Sequence, residues 1–521
     1  MTGRLTPSVT VLGLVIALVL GSCGVTRASD DQAAPPSTST TTTTAAPTTT
    51  SAGGPTTTAA GSTTTVPAFH VDQLSWKACD HGYQCASMPV PVDHTKPAGP
   101  TLELGLVRRP ATNPDRRIGT LLVNPGGPGG SATDFVEQLP LPRGLTDRFD
   151  IVGFDPRGVG KSSGLDCHSH LQAIYDADPS PETPAERASY IAVSKTFVDE
   201  CEKKYATLLP FLGTTNVARD MDLVRRALGE DQISYLGYSY GTSIGQEYAR
   251  LFPTRVRAMV LDGVVDTTQT GLAFADAQAA GFDQALDAYL AHCDQTDCGF
   301  GRPAGPALDK ILAQAEKQPI PSRRAGRPAT PGVVNLALGE ALKNEAFWPD
   351  LSQALQEARD GQGDGLVYLA DQYLGRTSNG EYESGFEIYF AVSCLDQSWP
   401  HSPDAVLDAA RATGARYPRI GEAIVSDYVR CALWPTPPQP LKPVPTTIKG
   451  LPPVVVISTT GDPATPYENG VKVAKRLPGA VLITNKGEQH TVFAQGKDCV
   501  DEPVVGYLVD LHVPKAGITC S

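Results

Sequence analysis

A basic surplus is missing from this chain. Its 521 residues carry 43 Lys and Arg against 56 Asp and Glu, a net charge of -13. Binding to phosphate backbones requires a basic footprint, so nucleic acid is excluded as a partner. A membrane-spanning run is missing too. The apolar stretch 9–20 has 12 residues, short of the roughly 20 that cross a bilayer. There is no Cys-x2-Cys pair with a matching partner pair, so the spacing of a structural zinc site is absent. Nothing in the sequence calls for a metal or a cofactor.

What is present is a globular composition, with 41% hydrophobic and 19% charged residues. The length suits one large domain with an insertion, or two domains. Residues 1–23 read as a leader, with Arg4 ahead of the apolar stretch. Leu20-Gly21-Ser22-Cys23 follows and resembles the lipobox of bacterial lipoproteins, in which the cysteine is lipidated. That places the domain outside the cytoplasm, lipid-anchored through Cys23 to the outer face of the plasma membrane or cell envelope. An ordinary cleaved signal peptide gives the same compartment. Residues 24–68, rich in Thr, Pro, Ala, Ser and Gly, have too little apolar surface to offset their ordering entropy and read as a tether. Of 11 cysteines, 10 remain once Cys23 is set aside, an even number suited to an oxidising compartment. Proximity in sequence suggests Cys79–Cys85, Cys167–Cys201, Cys293–Cys298, Cys394–Cys431 and Cys499–Cys520, although spacing alone does not settle connectivity.

Between residues 69 and 265, apolar runs alternate with helical patterns. Residues 102–107 alternate in a strand-like way, apolar runs lie at 119–124, 149–155, 233–236 and 256–262, and two more follow at 453–458 and 481–484. This alternation predicts an α/β fold, a mostly parallel sheet with helices on both faces. From about 266 to 398 the strand signals vanish and helical spacing takes over, which predicts a helical cap inserted into the sheet, with 399–521 as the second half of the core. Residues 266–400 hold 19 acidic and 9 basic residues. The ordinary reading is a solvated acidic face; the functional one is a cap that attracts a cationic group such as a peptide N-terminus.

The chemistry centres on Gly237-Tyr238-Ser239-Tyr240-Gly241, which sits between an apolar run and a helical pattern. This is the setting of a nucleophile elbow, with the serine on a tight strand-to-helix turn. A serine nucleophile needs a base, and the base needs an orienting acid. Asp462 and His490 each follow a predicted strand end, in the order serine, acid, histidine. His512, in the tail, is read as structural. Thr465-Pro466-Tyr467-Glu468 has the pattern of a capping box, so Thr465 is expected to start a helix that steadies the Asp462 loop; contact with the acid itself is the second choice. An oxyanion hole needs two N–H donors. One is expected from Tyr240, and the other from the Gly126–Gly130 run after the strand ending at Asn124.

Taken together, Asn124-Pro-Gly-Gly-Pro-Gly-Gly-Ser131, Phe154-Asp-Pro-Arg-Gly-Val-Gly-Lys-Ser162, Gly237-Tyr-Ser-Tyr-Gly-Thr242, Leu261-Asp-Gly-Val-Val-Asp266 and Gly461-Asp-Pro-Ala-Thr-Pro466 form an ordered set. The set resembles the secreted bacterial tripeptidyl aminopeptidases, α/β-hydrolases related to proline iminopeptidases that carry a TAP-like C-terminal segment. The resemblance runs from about residue 70 to the end. It implies Ser239 as nucleophile, Asp462 and His490 as its partners, and Gly127 with Tyr240 as oxyanion donors. Proline iminopeptidases have a histidine where Pro125 stands, so a hydrogen bond from that side chain is lost. The resemblance further implies acidic cap residues that bind a free N-terminus, for which Asp396, Glu381, Glu383 and Glu387 are the candidates.

The expected activity is a serine exopeptidase that releases short N-terminal peptides from peptides or proteins through an acyl-enzyme. A carboxylesterase or lipase would use the same machinery. A non-catalytic envelope binding protein of hydrolase type is the alternative from another class.

Overall fold

The computed structural model describes residues 69–167, 171–377 and 379–521. The leader with Cys23 and the tether lie outside the described residues.

Ten strands among the described residues form one sheet. They are β1 (Lys77–Ala78), β2 (Gln84–Pro91), β3 (Thr101–Arg109), β4 (Gly119–Asn124), β5 (Phe149–Phe154), β6 (Ile233–Tyr238), β7 (Val256–Asp262), β8 (Val454–Thr459), β9 (Val481–Asn485) and β10 (Ile518–Cys520). Their order is β1-β2-β3-β5-β4-β6-β7-β8-β9-β10. The first three pairings, ending with β3 on β5, are antiparallel, and the rest are parallel. β4, β5, β6 and β8 are buried at every position. Strands covered on both faces must be apolar throughout, which is why their sequences read as unbroken runs. One apolar cluster gathers Val217, Met221 and Ile244 against Tyr235, and another gathers Leu236, Val260, Ile457, Val504 and Leu508. This is the α/β-hydrolase fold.

Two buried carboxylates secure the loops at the carboxyl ends of β4 and β5. Asp155 accepts hydrogen bonds from Ser131 Oγ (3.0 Å), from the N–H and hydroxyl of Thr133 (3.0 and 3.1 Å) and from Lys161 N–H (2.9 Å). It thereby fixes the start of the helix Ala132–Gln138 behind the glycine run. Arg157, fully buried, forks onto Asp220 through Nε and Nη2 (both 2.7 Å) and spends its remaining donors on the carbonyls of Pro91, Val92 and Phe211. Filling the fork in this way offsets much of the cost of burying the guanidinium.

After β7 the chain leaves the sheet and folds into helices, among them Gly271–Thr296, Pro331–Ala341, Asp364–Tyr373 and Gly385–Asp396. They hold an apolar core of their own, with Leu286, Leu308, Val334 and Leu355 in it. The helical stretch does not stop at residue 398. It continues through Pro403–Gly414 and Gly421–Ser426 to Val429–Ala432, and the sheet resumes at β8. The Cys394–Cys431 disulfide joins this extension to the helix Gly385–Asp396. The other disulfides are Cys79–Cys85, Cys167–Cys201, Cys293–Cys298 and Cys499–Cys520. No helix among the described residues is long and apolar enough to cross a membrane.

Candidate active site

Ser239 lies between the end of β6 and the helix Gly241–Leu251, with φ 53°. A side chain at positive φ is strained, so the surrounding contacts have to hold it. Ser239 N–H donates to Asp262 O (2.9 Å), and Ser239 O accepts from the Thr242 N–H (2.9 Å) and hydroxyl (2.6 Å). The flanking glycines are steric necessities. A Cβ on Gly237 would sit 2.5 Å from Gly241 O, and one on Gly241 would sit 2.8 Å from Asn124 O.

The loop after β4 packs directly under this turn. Gly126 N–H donates to Asn124 Oδ1 (3.0 Å), and φ is 96° at Gly126 and 109° at Gly127. A Cβ on Gly126 would meet Tyr238 O at 2.5 Å and Tyr240 N at 2.9 Å. Among the described residues, the amides of Gly127 and Tyr240 donate to no acceptor. Tyr240 precedes the first turn of its helix, where amides lack intrahelical partners.

His490 Nδ1 donates to Asp462, 2.9 Å from each carboxylate oxygen. Asp462 is nearly inaccessible and also accepts from the N–H groups of Ala464 (3.0 Å) and Thr465 (2.9 Å). The Thr465 hydroxyl donates to Asp462 Oδ2 (2.8 Å) and stands 3.3 Å from His490 Nδ1. The capping-box reading of Thr465 is therefore corrected. The helix Tyr467–Arg476 starts later, with Pro466 at its cap and no side-chain cap bond. The hydroxyl turns inward because it can donate a charge-assisted hydrogen bond to the buried carboxylate, whereas a helix amide, itself a donor, offers it no acceptor.

Ser239 and His490 line one cavity of about 460 Å³, and Gly127 and Gly129 line it as well. No hydrogen bond joins Ser239 to His490 among the described residues, and such contacts tighten when substrate arrives. Helices of the insertion supply an aromatic wall that includes Phe274, Tyr373, Phe386, Tyr389 and Tyr428. The insertion also touches the histidine loop. His490 N–H donates to Lys343 O (2.7 Å), and Glu345 N–H donates to Glu488 O (3.2 Å).

The four acidic candidates separate. Glu383 lines the cavity without an ion-pair partner among the described residues; partial burial, and then Asp134, holds its carboxyl above the usual range. Asp396 reaches the cavity wall, but both its oxygens are engaged by Thr214, whose N–H donates at 3.0 and 3.3 Å and whose hydroxyl donates to Oδ2. Burial pushes the Asp396 carboxyl up to about 7. The Thr214 hydroxyl also meets the Tyr240 hydroxyl at 2.6 Å, so Asp396 braces the residue after Ser239. Glu381 belongs to an exposed turn with Asn379 and does not line the cavity. Glu387 is buried on its helix, away from the cavity lining, and burial pushes it up to about 7. For these three, tertiary packing decided what sequence could not: which face of the element points inward.

Asp262 is the functional residue that sequence reasoning missed. Its carbonyl holds Ser239 N–H, and its Oδ2 accepts from the N–H groups of Val492 (2.8 Å) and Phe493 (2.7 Å), just beyond His490. One residue thus ties the serine turn to the histidine loop. It is wholly buried, and burial pushes its carboxyl up to about 6, with Asp462 adding to the rise and His490 opposing it. Its position at a strand end inside Leu261-Asp-Gly-Val-Val was the available signal. Among the described residues no group of three His, Cys, Asp or Glu has metal-binding geometry.

The chain is similar to several known proteins. Residues 417–520 match the family described as TAP-like protein. The chain is 39% identical over 461 residues to the serine protease Hip1 of Mycobacterium tuberculosis, covering 84% of this chain and 87% of that one. It is 37% identical over 483 residues to carboxylesterase B of the same organism, covering 86% and 90%. It is 30% identical over 469 residues to the tripeptidyl aminopeptidase of Streptomyces lividans, covering 86% of each.

Proposed function

The chain belongs to the tripeptidyl aminopeptidase family of α/β-hydrolases and is a serine hydrolase, and from that premise we propose that it removes short peptides from the free N-termini of peptides or proteins. The single observation that carries the assignment of roles is the convergence, in one cavity, of Ser239 on a positive-φ turn, the His490–Asp462 pair and two unengaged amides.

In this reading His490 Nε2 takes the proton of Ser239 as Oγ attacks the substrate carbonyl. Asp462 fixes the tautomer with the proton on Nδ1 and stabilises the imidazolium, while the Thr465 hydroxyl holds the carboxylate in place. The N–H groups of Gly127 and Tyr240 receive the oxyanion, a contribution worth roughly 3–4 kcal/mol per donor in related chemistry. His490 then returns the proton to the leaving amine, and water resolves the acyl-enzyme by the same steps. Glu383, without an ion-pair partner among the described residues, adds to the negative potential that draws a cationic substrate toward the cavity.

The test is digestion of a peptide library with free N-termini, with fragments sized by mass spectrometry. Short N-terminal products are expected from the wild type and none from Ser239→Ala. Cleavage by that variant overturns the assignment. The similarity to carboxylesterase B favours a second reading, an esterase on the same triad. Acetylating the substrate amine separates the two, since it abolishes exopeptidase turnover and spares ester hydrolysis.

We also propose that the domain is held outside the cytoplasm by a lipid on Cys23. The five disulfides support an oxidising compartment. Cys23→Ser should shift the protein from the membrane fraction to the medium; retention at the membrane contradicts the anchor.

A further inference from the structure

A second, smaller space adjoins the catalytic cavity. Phe282, Leu336, Tyr373, Phe386, Ile424 and Asp427 line both, whereas Ser239 and His490 line only the first. The second space, about 80 Å³, is therefore an annex beside the catalytic cavity, on a side that Ser239 and His490 do not line. Its remaining wall is largely apolar, with Ile174, Tyr175, Tyr190 and Ile420 prominent, and the small residues Ala177 and Ala423 leave it open.

Asp427 sits where the two spaces join. Its Oδ1 accepts from the Tyr190 hydroxyl (3.0 Å) and from Arg430 Nη1 (2.9 Å). Arg430 is fully buried against the rings of Tyr190, Phe386 and Phe390, and its ion partner among the described residues is Asp427. These contacts fix the carboxylate's orientation. Oδ2 accepts no hydrogen bond among the described residues, and the side chain remains 44% accessible in the cavity. Near it, the hydroxyls of Tyr389 and Tyr428 bond to each other, and Tyr428 donates to Gln278 Oε1 (3.1 Å), which leaves ring faces and oxygen acceptors around the junction.

We infer that the annex is the subsite for the side chain of the substrate's first residue, that it selects bulky apolar side chains, and that Asp427 holds the adjoining amine at its mouth. The inference rests on the exopeptidase reading and extends it to a substrate class. A primary ammonium has three donors and no acceptor, which suits a fixed carboxylate oxygen flanked by tyrosines. The side chain on the same carbon is then directed into an apolar space that water fills poorly and a hydrocarbon fills well. The carbonyl to be cleaved lies at the opposite end, beside Ser239, so the cavity between them measures the length of the released peptide.

The test uses the full chain and tripeptidyl anilides whose first residue is Phe, Leu or Gly, each with a free or an acetylated amine. Wild-type kcat/KM should favour Phe and Leu over Gly about tenfold or more. Ala177→Leu, which fills the annex, should collapse that ratio toward one. Asp427→Asn should erase the preference for a free over an acetylated amine. Fluorophosphonate labelling at one site per chain shows that each variant is folded at its centre. A wild-type ratio near one, with peptides still cleaved, overturns the annex and leaves the exopeptidase reading standing. An equal loss for Phe and Gly substrates in Ala177→Leu overturns it as well. Hydrolysis of acyl esters with no cleavage of any peptide removes the exopeptidase reading, and the annex falls with it.

Discussion

Replacing Asp262 with asparagine should separate activity from stability. The carboxylate is wholly buried, and burial lifts it from an ordinary 3.8 to about 6. That rise corresponds to about 3 kcal/mol of unfavourable charge burial at neutral pH. Because the folded pKa lies above the unfolded one, the folded state binds the proton more tightly. On this group's account stability therefore falls as pH rises from about 4 to about 6 and stays low above that window. The side chain introduced by Asp262→Asn would be neutral and would keep an acceptor for the amides of Val492 and Phe493, though a weaker one. The loss is about 1–2 kcal/mol for two hydrogen bonds that are no longer charge-assisted. The variant should thus match or exceed the wild type in stability at pH 7 and lose the slope between pH 4 and 6. Activity should move the other way. The ionised carboxylate favours the imidazolium that forms on His490 during catalysis, and weaker anchoring of Val492 and Phe493 loosens the loop that carries His490. A displacement of about 1 Å there costs on the order of a hundredfold in rate, so kcat/KM should fall about ten- to a hundredfold. Urea denaturation at pH 5 and 7, alongside kcat/KM from pH 5 to 9, reads both effects. Full activity with an unchanged pH profile refutes the positioning role. A stability loss above about 2 kcal/mol that tracks the activity loss refutes the electrostatic argument and leaves Asp262 as scaffolding.

Other perturbations probe neighbouring contacts. Thr465→Val removes the hydroxyl that donates to Asp462; kcat should drop about tenfold with KM little changed, and steady-state kinetics in which KM alone rises would contradict this role. Gly126→Ala places a methyl 2.5 Å from Tyr238 O at a φ of 96°. Strain of roughly 1–3 kcal/mol should lower the melting temperature and nearly abolish turnover, whereas a variant of normal activity would show that the loop yields without cost. Thr214→Val breaks the link from Asp396 to the Tyr240 hydroxyl. It should lower kcat for ester and peptide substrates alike, and a loss confined to peptides would instead assign Asp396 to substrate binding.

The central sheet was legible because β4, β5, β6 and β8 are apolar on both faces, whereas the short or half-exposed β1, β2 and β10 give no such run. Ser239, Asp462 and His490 stood out for the same reason, as polar residues placed just past apolar runs. Thr465 was harder to read. A capping-box pattern describes local competition for helix amides, and the buried Asp462 carboxylate that takes the hydroxyl comes from tertiary structure. Glu381 and Glu387 flank Glu383 in sequence, yet only Glu383 lines the cavity, because an exposed turn and a helix face divide them. Asp262 looked like the end of a strand, and its contacts with Ser239 and with Val492 and Phe493 join segments far apart in the chain. The helical insertion runs past its expected end at residue 398 through three more helices, and the Cys394–Cys431 disulfide ties them to the helix Gly385–Asp396.

The central claim is that one serine performs the peptide chemistry. The most direct measurement titrates the enzyme with a fluorophosphonate, follows hydrolysis of a tripeptidyl anilide with a free amine, and maps the adduct by mass spectrometry. A single adduct on Ser239 is expected, with a loss of hydrolysis in strict proportion to its occupancy. Hydrolysis that persists at full Ser239 occupancy, or an adduct on another residue that tracks the loss, would contradict the claim.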